Sequence, residues 1–347
     1  MKNNVGTALK VSAAYIIGAA FSAFNVWAIA RLCGSASVVF YSLGGAVALL
    51  SFFALTHETG HLTAAKIAGF KTVKFSCLCF RYDKREKKKF SFDFSCKNFG
   101  ETTFVPRGVG KEDGDNARKF INVALGGTVA SALTVIAYII VFVAAADCRA
   151  RAFFACFPLP LAAFAVNALK GVLSDGDGTL IASVKTSADV FALDGYLNIL
   201  ALLRSGTSYA EADGKYFVEN CSLQPVNRAL RLFSLRREEE LGNYEQARRI
   251  AENAIEDGAF DVETFAEAFC VGYIAEDERL TARCERAIAC IDGVEEPYAA
   301  RARLVAALRR GDDGYIKVAA ATALKYCAED FFKGDGKFNE TMIKRLL

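Results

Sequence analysis

The run Ser37–Thr56 (SVVFYSLGGAVALLSFFALT) leads without a charge into His57-Glu58-Thr59-Gly60-His61, and the reading of this stretch decides the fold. On a helix, residues four apart share a face, so the two imidazoles sit one turn apart and can bind one Zn²⁺. The intervening Glu58 is then placed to act as general base on a water activated by that ion. His57 and His61 are the only histidines in the chain. They also close a segment that reads as membrane-embedded, where ionisable groups are costly and functional by default.

Working outward, three more apolar segments accompany this one. The spans are expected at about 11–30, 37–62, 120–146 and 152–173, the last interrupted by Pro158 and Pro160. Each is close to the ~20 residues a helix needs to cross a bilayer. Lys2 and Lys10 precede the first, as in a signal peptide, but its length and the lack of a small-residue cleavage site favour a retained span. Gly69 is expected to stop the helix that carries the two histidines. Gly126, Gly127, Ala130 and Ser131 place small residues where helices can approach closely.

Between the second and third spans lies a loop, 70–119. Residues 64–119 hold 14 Lys/Arg against 7 Asp/Glu, a net +7. Two alternating stretches, 74–82 and 89–96, flank a polar turn at 83–88 and predict a β-hairpin with Phe90, Phe92 and Phe94 on one face. The positive-inside rule places this loop, and with it both termini, in the cytoplasm of a multi-pass cell-membrane protein. The remainder, 179–347, is acidic, with 22 Lys/Arg against 28 Asp/Glu, a net −6. Nothing in this distribution suggests nucleic-acid binding. The eleven cysteines, without framework spacing, are expected as reduced thiols.

The chain therefore divides into a membrane domain, 1–184, and a soluble helical domain, 185–347. The overall class is mainly α, with four spans, a small cytoplasmic β-hairpin and a set of α-hairpins. Helix breaks are expected at Gly242-Asn243, Asp257-Gly258, Glu276-Asp277, Asp292-Gly293 and 311–314. The piece Leu241–Ala247, followed by Ala254, resembles the second helix of a tetratricopeptide repeat. Such arrays bind peptides or protein partners, here a cytoplasmic one.

A catalytic zinc normally takes three protein ligands. With no third histidine, the remaining ligand must be a carboxylate or a thiolate. Asp175 and Asp177, in Ser174-Asp175-Gly176-Asp177-Gly178, are the acids at the right depth. Cys77, Cys79 or Cys96 is the weaker alternative, and Asp147 belongs at the opposite face. Asp177 is suited to cap a helix starting near Thr179, which leaves Asp175 as the better ligand.

These motifs together resemble the site-2 protease family of intramembrane zinc metalloproteases. The resemblance rests on H-E-T-G-H at 57–61, Gly126-Gly127 in a later span, and Asn167 eight residues before Asp175-Gly176. It covers about half the chain. It implies His57, His61 and Asp175 as ligands of Zn²⁺, Glu58 as the base, and Asn167 as a helper that orients substrate or stabilises an oxyanion. It also implies hydrolysis of a peptide bond in or near a transmembrane segment of a membrane-protein substrate, in contact with the lipid bilayer, with the hairpin pairing to the unwound substrate. Two positions depart from the family's pattern: no proline follows Asn167, and Thr128 stands where a proline often follows the glycine pair. The alternative is a catalytically inactive membrane anchor that recruits a cytoplasmic partner through its helical tail. A zinc protease of another lineage ranks last, because no suitably placed glutamate follows His61.

Overall fold

The computed structural model describes residues 2–33, 37–85, 89–92, 100–169, 177–219, 222–257, 261–291 and 293–347. The chain divides into two units, one comprising 1–105 and 118–185, the other 106–117 and 186–347.

In the first unit, four helical stretches are long and apolar enough to cross a membrane: Ala8–Cys33, Ser37–Ala68, Asp115–Ala144 and Cys148–Ala168. They belong to α1 (Lys2–Cys33), α2 (Ser37–Ala68), α3 (Asp115–Ala144) and the pair α4 (Cys148–Phe154) and α5 (Pro158–Ala168). The fourth stretch breaks where proline falls. Pro158 cannot donate a backbone N–H, so it opens a new helix at its first turn instead of continuing α4. Gly69 ends α2 in the left-handed region, at φ +80°.

Helix crossings are made by small residues and by side chains that spend their polar atoms on a neighbour's backbone. A Cβ on Gly45 would collide with the backbone of Phe153, and one on Gly18 with that of Pro158. The Ser42 hydroxyl donates to Ala152 O at 2.9 Å, and Tyr138 OH to Leu49 O at 3.1 Å. The exposed surfaces of α1, α2 and α3 are apolar, with Ile16, Phe21, Phe40, Val47, Leu133 and Val143 all facing outward.

At one end of these helices Cys33 and Cys148 form a disulfide, with Cα atoms 6.4 Å apart. The expectation that every cysteine is reduced therefore fails. The two lie far apart in sequence, but Cys33 ends α1 and Cys148 begins α4, and these two helix ends meet. Ile29, Val38, Ala152 and Ala155 pack together beside them. Seven other described cysteines remain thiols.

The loop after α2 is a four-stranded sheet rather than one hairpin. Its strands are β1 (Phe70–Cys77), β2 (Phe80–Asp83), β3 (Phe90–Phe92) and β4 (Gly100–Pro106), in the order β3-β2-β1-β4. The stretch 74–82 is not one strand, because Leu78 at φ +55° turns it back on itself. Cys77 then faces Phe80 and Lys74 faces Asp83 in an antiparallel register. The polar segment that follows joins β2 to β3, which also pair antiparallel, Phe80 opposite Phe92 and Tyr82 opposite Phe90. Phe90 and Phe92 are exposed as the alternation requires; Phe94 and Cys96 lie outside the described residues.

A short helix, α6 (Asp177–Ser183), closes the first unit. The second unit is helical throughout: α7 (Ser187–Ser205), α8 (Gln224–Glu240), α9 (Tyr244–Glu256), α10 (Val262–Ile274), α11 (Glu278–Ile288), α12 (Pro297–Arg310), α13 (Asp313–Glu329) and α14 (Lys333–Leu346). Its helices break at the polar positions read from the sequence, with Gly242, Glu276, Gly293 and Gly311 all at positive φ. Leu235, Ala247, Phe269, Val271, Leu280 and Val305 are the centre of its main core. Consecutive helices α8 to α14 pack against one another.

Candidate metal centre

The two histidines point from α2 towards α3, which comes close because both helices carry glycine at the crossing. A Cβ on Gly60 would strike the backbone of Gly126 and the side chain of Ala130, and a Cβ on Gly126 would strike Ala64. Gly127, one residue on, leaves the space that the His61 ring fills. Small residues read from the sequence as packing positions thus also make room for the imidazoles.

α3 fixes both rings through their outer nitrogens. His61 Nδ1 lies 2.8 Å from the carbonyl oxygen of Val123, which can only accept, so Nδ1 carries the hydrogen. In the neutral ring, Nε2 is then a bare lone pair. His57 Nδ1 lies 2.7 Å from the hydroxyl of Ser131, itself buried in the helix crossing. The inner nitrogens, His57 Nε2 and His61 Nε2, face each other at 3.1 Å.

The third group is Asp177. Its Oδ2 lies 3.4 Å from His57 Nε2 and 3.3 Å from His61 Nε2. Gly178 makes this placement feasible, since any side chain there would collide with the backbone of Ala168 at the end of α5. Asn167, one residue before Ala168, donates from Nδ2 to Asp177 Oδ2 at 3.1 Å and lies 3.2 Å from His57 Nε2. Its Oδ1 accepts from the backbone N–H of Asp177 at 3.4 Å, and the Thr128 hydroxyl donates to Asp177 Oδ2 at 3.4 Å.

One sequence expectation is revised here. Asp177 begins α6, but its carboxylate turns to the histidines rather than serving only as a cap. Asp175 lies outside the described residues. The repeated Asp-Gly of Ser174–Gly178 offers two carboxylates, and the fold brings the second to the pair. Of the thiol alternatives, neither Cys77 nor Cys79 joins the group, and Cys96 lies outside the described residues. Cys77 is held neutral, its thiol pushed up to about 11 by burial and then by the nearby Glu58 carboxylate.

A tetrahedral ion with ligand bonds of about 2.0–2.2 Å needs donors separated by roughly 3.3–3.6 Å. The triangle of His57 Nε2, His61 Nε2 and Asp177 Oδ2 has sides of 3.1, 3.4 and 3.3 Å. Among the described residues it is the one group of three such side chains close enough to share an ion. The outer nitrogens are occupied in the way metal-binding histidines usually are, by a carbonyl and a hydroxyl. Residues and spacing fit a zinc ion.

Glu58 meets β4. Its carboxylate accepts a hydrogen bond from the Thr102 hydroxyl of β4, and Gly100 lies against it so closely that no side chain would fit. The sheet strand that reaches the motif is β4, an edge strand. Ser131, Val123, Thr102 and Thr128 were not singled out for these roles from the sequence. Ser131 alone carried a signal, lying one turn beyond Gly127 on the same face of α3.

Comparison with family models, curated proteins and solved structures finds no match for this chain.

Proposed function

We propose that this chain is an intramembrane zinc metalloprotease of the site-2 protease type, which hydrolyses a peptide bond in or near a transmembrane segment of another membrane protein. The observation that carries this reading is the convergence of two imidazole nitrogens and a carboxylate oxygen, next to a glutamate held by an edge strand. The mutual separations of those three atoms are those that the ligands of one tetrahedral ion take.

His57, His61 and Asp177 would hold the ion. When bound, Zn²⁺ supplies Lewis acidity, polarising a scissile carbonyl and lowering the pKa of water towards ~7. Glu58 takes a proton from the attacking water and returns it to the leaving amine. The Thr102 hydroxyl keeps the Glu58 carboxylate oriented. The Asn167 amide holds Asp177 in place and offers an N–H donor beside the reacting carbonyl. A transmembrane helix hides its peptide bonds in backbone hydrogen bonds, so a substrate segment must unwind to be cut. The open edge of β4 would satisfy the groups it frees.

The four apolar helices would cross the cell membrane with the basic loop and both termini in the cytoplasm. The disulfide supports this orientation. Ser37, where α2 begins just after Cys33, lies 20 residues before His57, about 30 Å at 1.5 Å per residue of helix, so the disulfide would lie at the far, oxidising side. The second unit would be a cytoplasmic, tetratricopeptide-like domain that binds a protein or peptide.

The test compares membrane proteomes of cells carrying wild type and Glu58→Gln. A transmembrane protein cut only in the wild type supports the reading. Identical proteomes, with no zinc in the purified chain, would leave the inactive anchor as the better account.

A further inference from the structure

The second unit holds one piece of chain, 106–117, that is inserted between the two elements touching the candidate centre. Before it, Thr102 of β4 binds Glu58, four residues ahead of Pro106. After it, α3 continues to Val123, whose carbonyl holds His61, six residues past Ala117 and about 9 Å along the helix axis. Whatever grips 106–117 is therefore a few residues from the base on one side and the ligands on the other.

The grip is a buried polar knot. The first N–H groups of a helix have no partner within it, and those of α3 find one in α7. Asp194 Oδ1 accepts from Asn116 N at 2.9 Å and from Ala117 N at 3.2 Å. Asp194 Oδ2 accepts from Asn198 Nδ2, one turn on, at 2.8 Å. Asn198 Oδ1 then accepts from Gly110 N at 2.9 Å and from Asn116 Nδ2 at 2.8 Å. Asn116 Nδ2 also donates to Gly108 O at 3.1 Å. Asn116, Asp194 and Asn198 are each no more than 4 % exposed. A carboxylate at a helix N-terminus also meets the positive end of the helix dipole. Nearer β4, Arg204 Nη2 donates to Arg107 O at 2.6 Å.

We infer that Asp194 and Asn198 are positioning residues for the metal centre: by fixing the first turn of α3 and the exit of β4, they set the placement of the His61 ring and of Glu58. The inference rests on the proposed function and adds a role for the helical unit within it, namely that the unit holds the centre in working geometry. Because α3 is one continuous helix, a shift of its first turn displaces the carbonyl and hydroxyl that orient the imidazoles.

The atoms of the knot dictate the experiment. Asp194→Asn alone sets an amide N–H against the Asn198 amide, and Asn198→Asp alone sets two carboxylates side by side. The double exchange restores every hydrogen bond with the roles reversed. Zinc affinity is measured on the purified full-length chain by competition with a chromophoric chelator, together with amide hydrogen exchange in 100–125. Each single variant should bind zinc about tenfold more weakly, the lower end of what loss of outer-sphere support costs. Each should also exchange faster at the start of α3 and in β4, and the double variant should recover both. Single variants that match wild type, or a folded double variant as weak as the singles, would overturn the inference. If the singles melt the helical unit, Leu304→Ala, buried in α12 and matched for loss of stability, becomes the control. An equal loss of zinc affinity there would overturn the inference, and retained affinity would support it. A wild-type chain that takes up no zinc instead overturns the functional reading, and this one with it.

Discussion

Each unit buries a polar cluster, and the two clusters are built on opposite plans. In the helical unit, two arginines and two glutamates are almost completely buried, and they answer one another. Arg301 Nη1 reaches Glu239 Oε1 at 3.1 Å and its other nitrogen pairs with Glu267, while Arg236 Nε donates to Glu267 Oε1 at 2.8 Å. Arg236 Nη1 continues the chain to Tyr209 OH at 3.0 Å and Asp335 at 3.2 Å. In the first unit, two imidazole nitrogens and a carboxylate oxygen meet with no cationic side chain among the described residues of the group. One cluster pairs cations with anions; the other gathers side chains of the types that can bind a metal. Burial of polar groups marks both, so burial does not identify a candidate site. The kind of groups that meet does.

The comparison can be broken first at Glu58. Glu58→Gln should lower cleavage by about 10²–10⁴-fold, the usual contribution of a general base, while leaving zinc content unchanged. Loss of zinc in that variant would make Glu58 part of the ligand set and remove the distinction drawn between base and ligands. Next comes the helical cluster. Arg301→Leu leaves Glu239 buried without its partner and Glu267 with Arg236 alone, and should cost roughly 3–5 kcal/mol. The unfolding transition of the helical unit would report it in denaturant, and chelators should not affect that unit in the wild type. A chelator-sensitive transition there would mean that the helical cluster, too, depends on metal.

A smaller effect is expected at Ser131. Ser131→Ala removes the hydroxyl on His57 Nδ1 and should weaken zinc binding by about 10–100-fold, read by competition titration. Unchanged affinity would show that the ring is held by packing alone. The smallest effect concerns pH. Burial, and then the neighbouring Asp335, raise the Asp330 carboxyl from 3.8 to about 7. The folded chain keeps that proton where the unfolded chain has lost it, so stability of the helical unit falls as pH rises from about 4 to 7 and levels off above. Asp330→Asn keeps the acceptor for Phe332 N and should raise the melting temperature at pH 8 by a few degrees, given about 2–4 °C per kcal/mol. At pH 4 the two proteins should melt alike.

Much of the fold was legible because its signals are local. Apolar runs of helical length, the glycine after Ala68 and the polar breaks between the soluble helices each act within a few residues. The sheet was only half legible. The alternation at 89–92 shows, but the turn at Leu78 does not, since leucine carries no sequence preference for positive φ. β4 has no clean alternation, and its role depends on Glu58 lying beneath it. His57, Glu58 and His61 were readable from one motif on one helix. The place of Asp177 was not, because Ser174-Asp175-Gly176-Asp177-Gly178 repeats the same dipeptide and the approach of Asp177 to the pair depends on the close packing of Gly178 on Ala168, a contact between elements. The disulfide escaped for the same reason, as nothing near Cys33 points to Cys148.

The most direct test of the account is zinc stoichiometry in the purified full-length chain, with His57→Ala, Asp175→Ala and Asp177→Ala beside it. The account predicts one zinc per wild-type chain, retained in Asp175→Ala and lost in His57→Ala and Asp177→Ala. A wild-type chain without zinc, or one that keeps its zinc in Asp177→Ala, would contradict it.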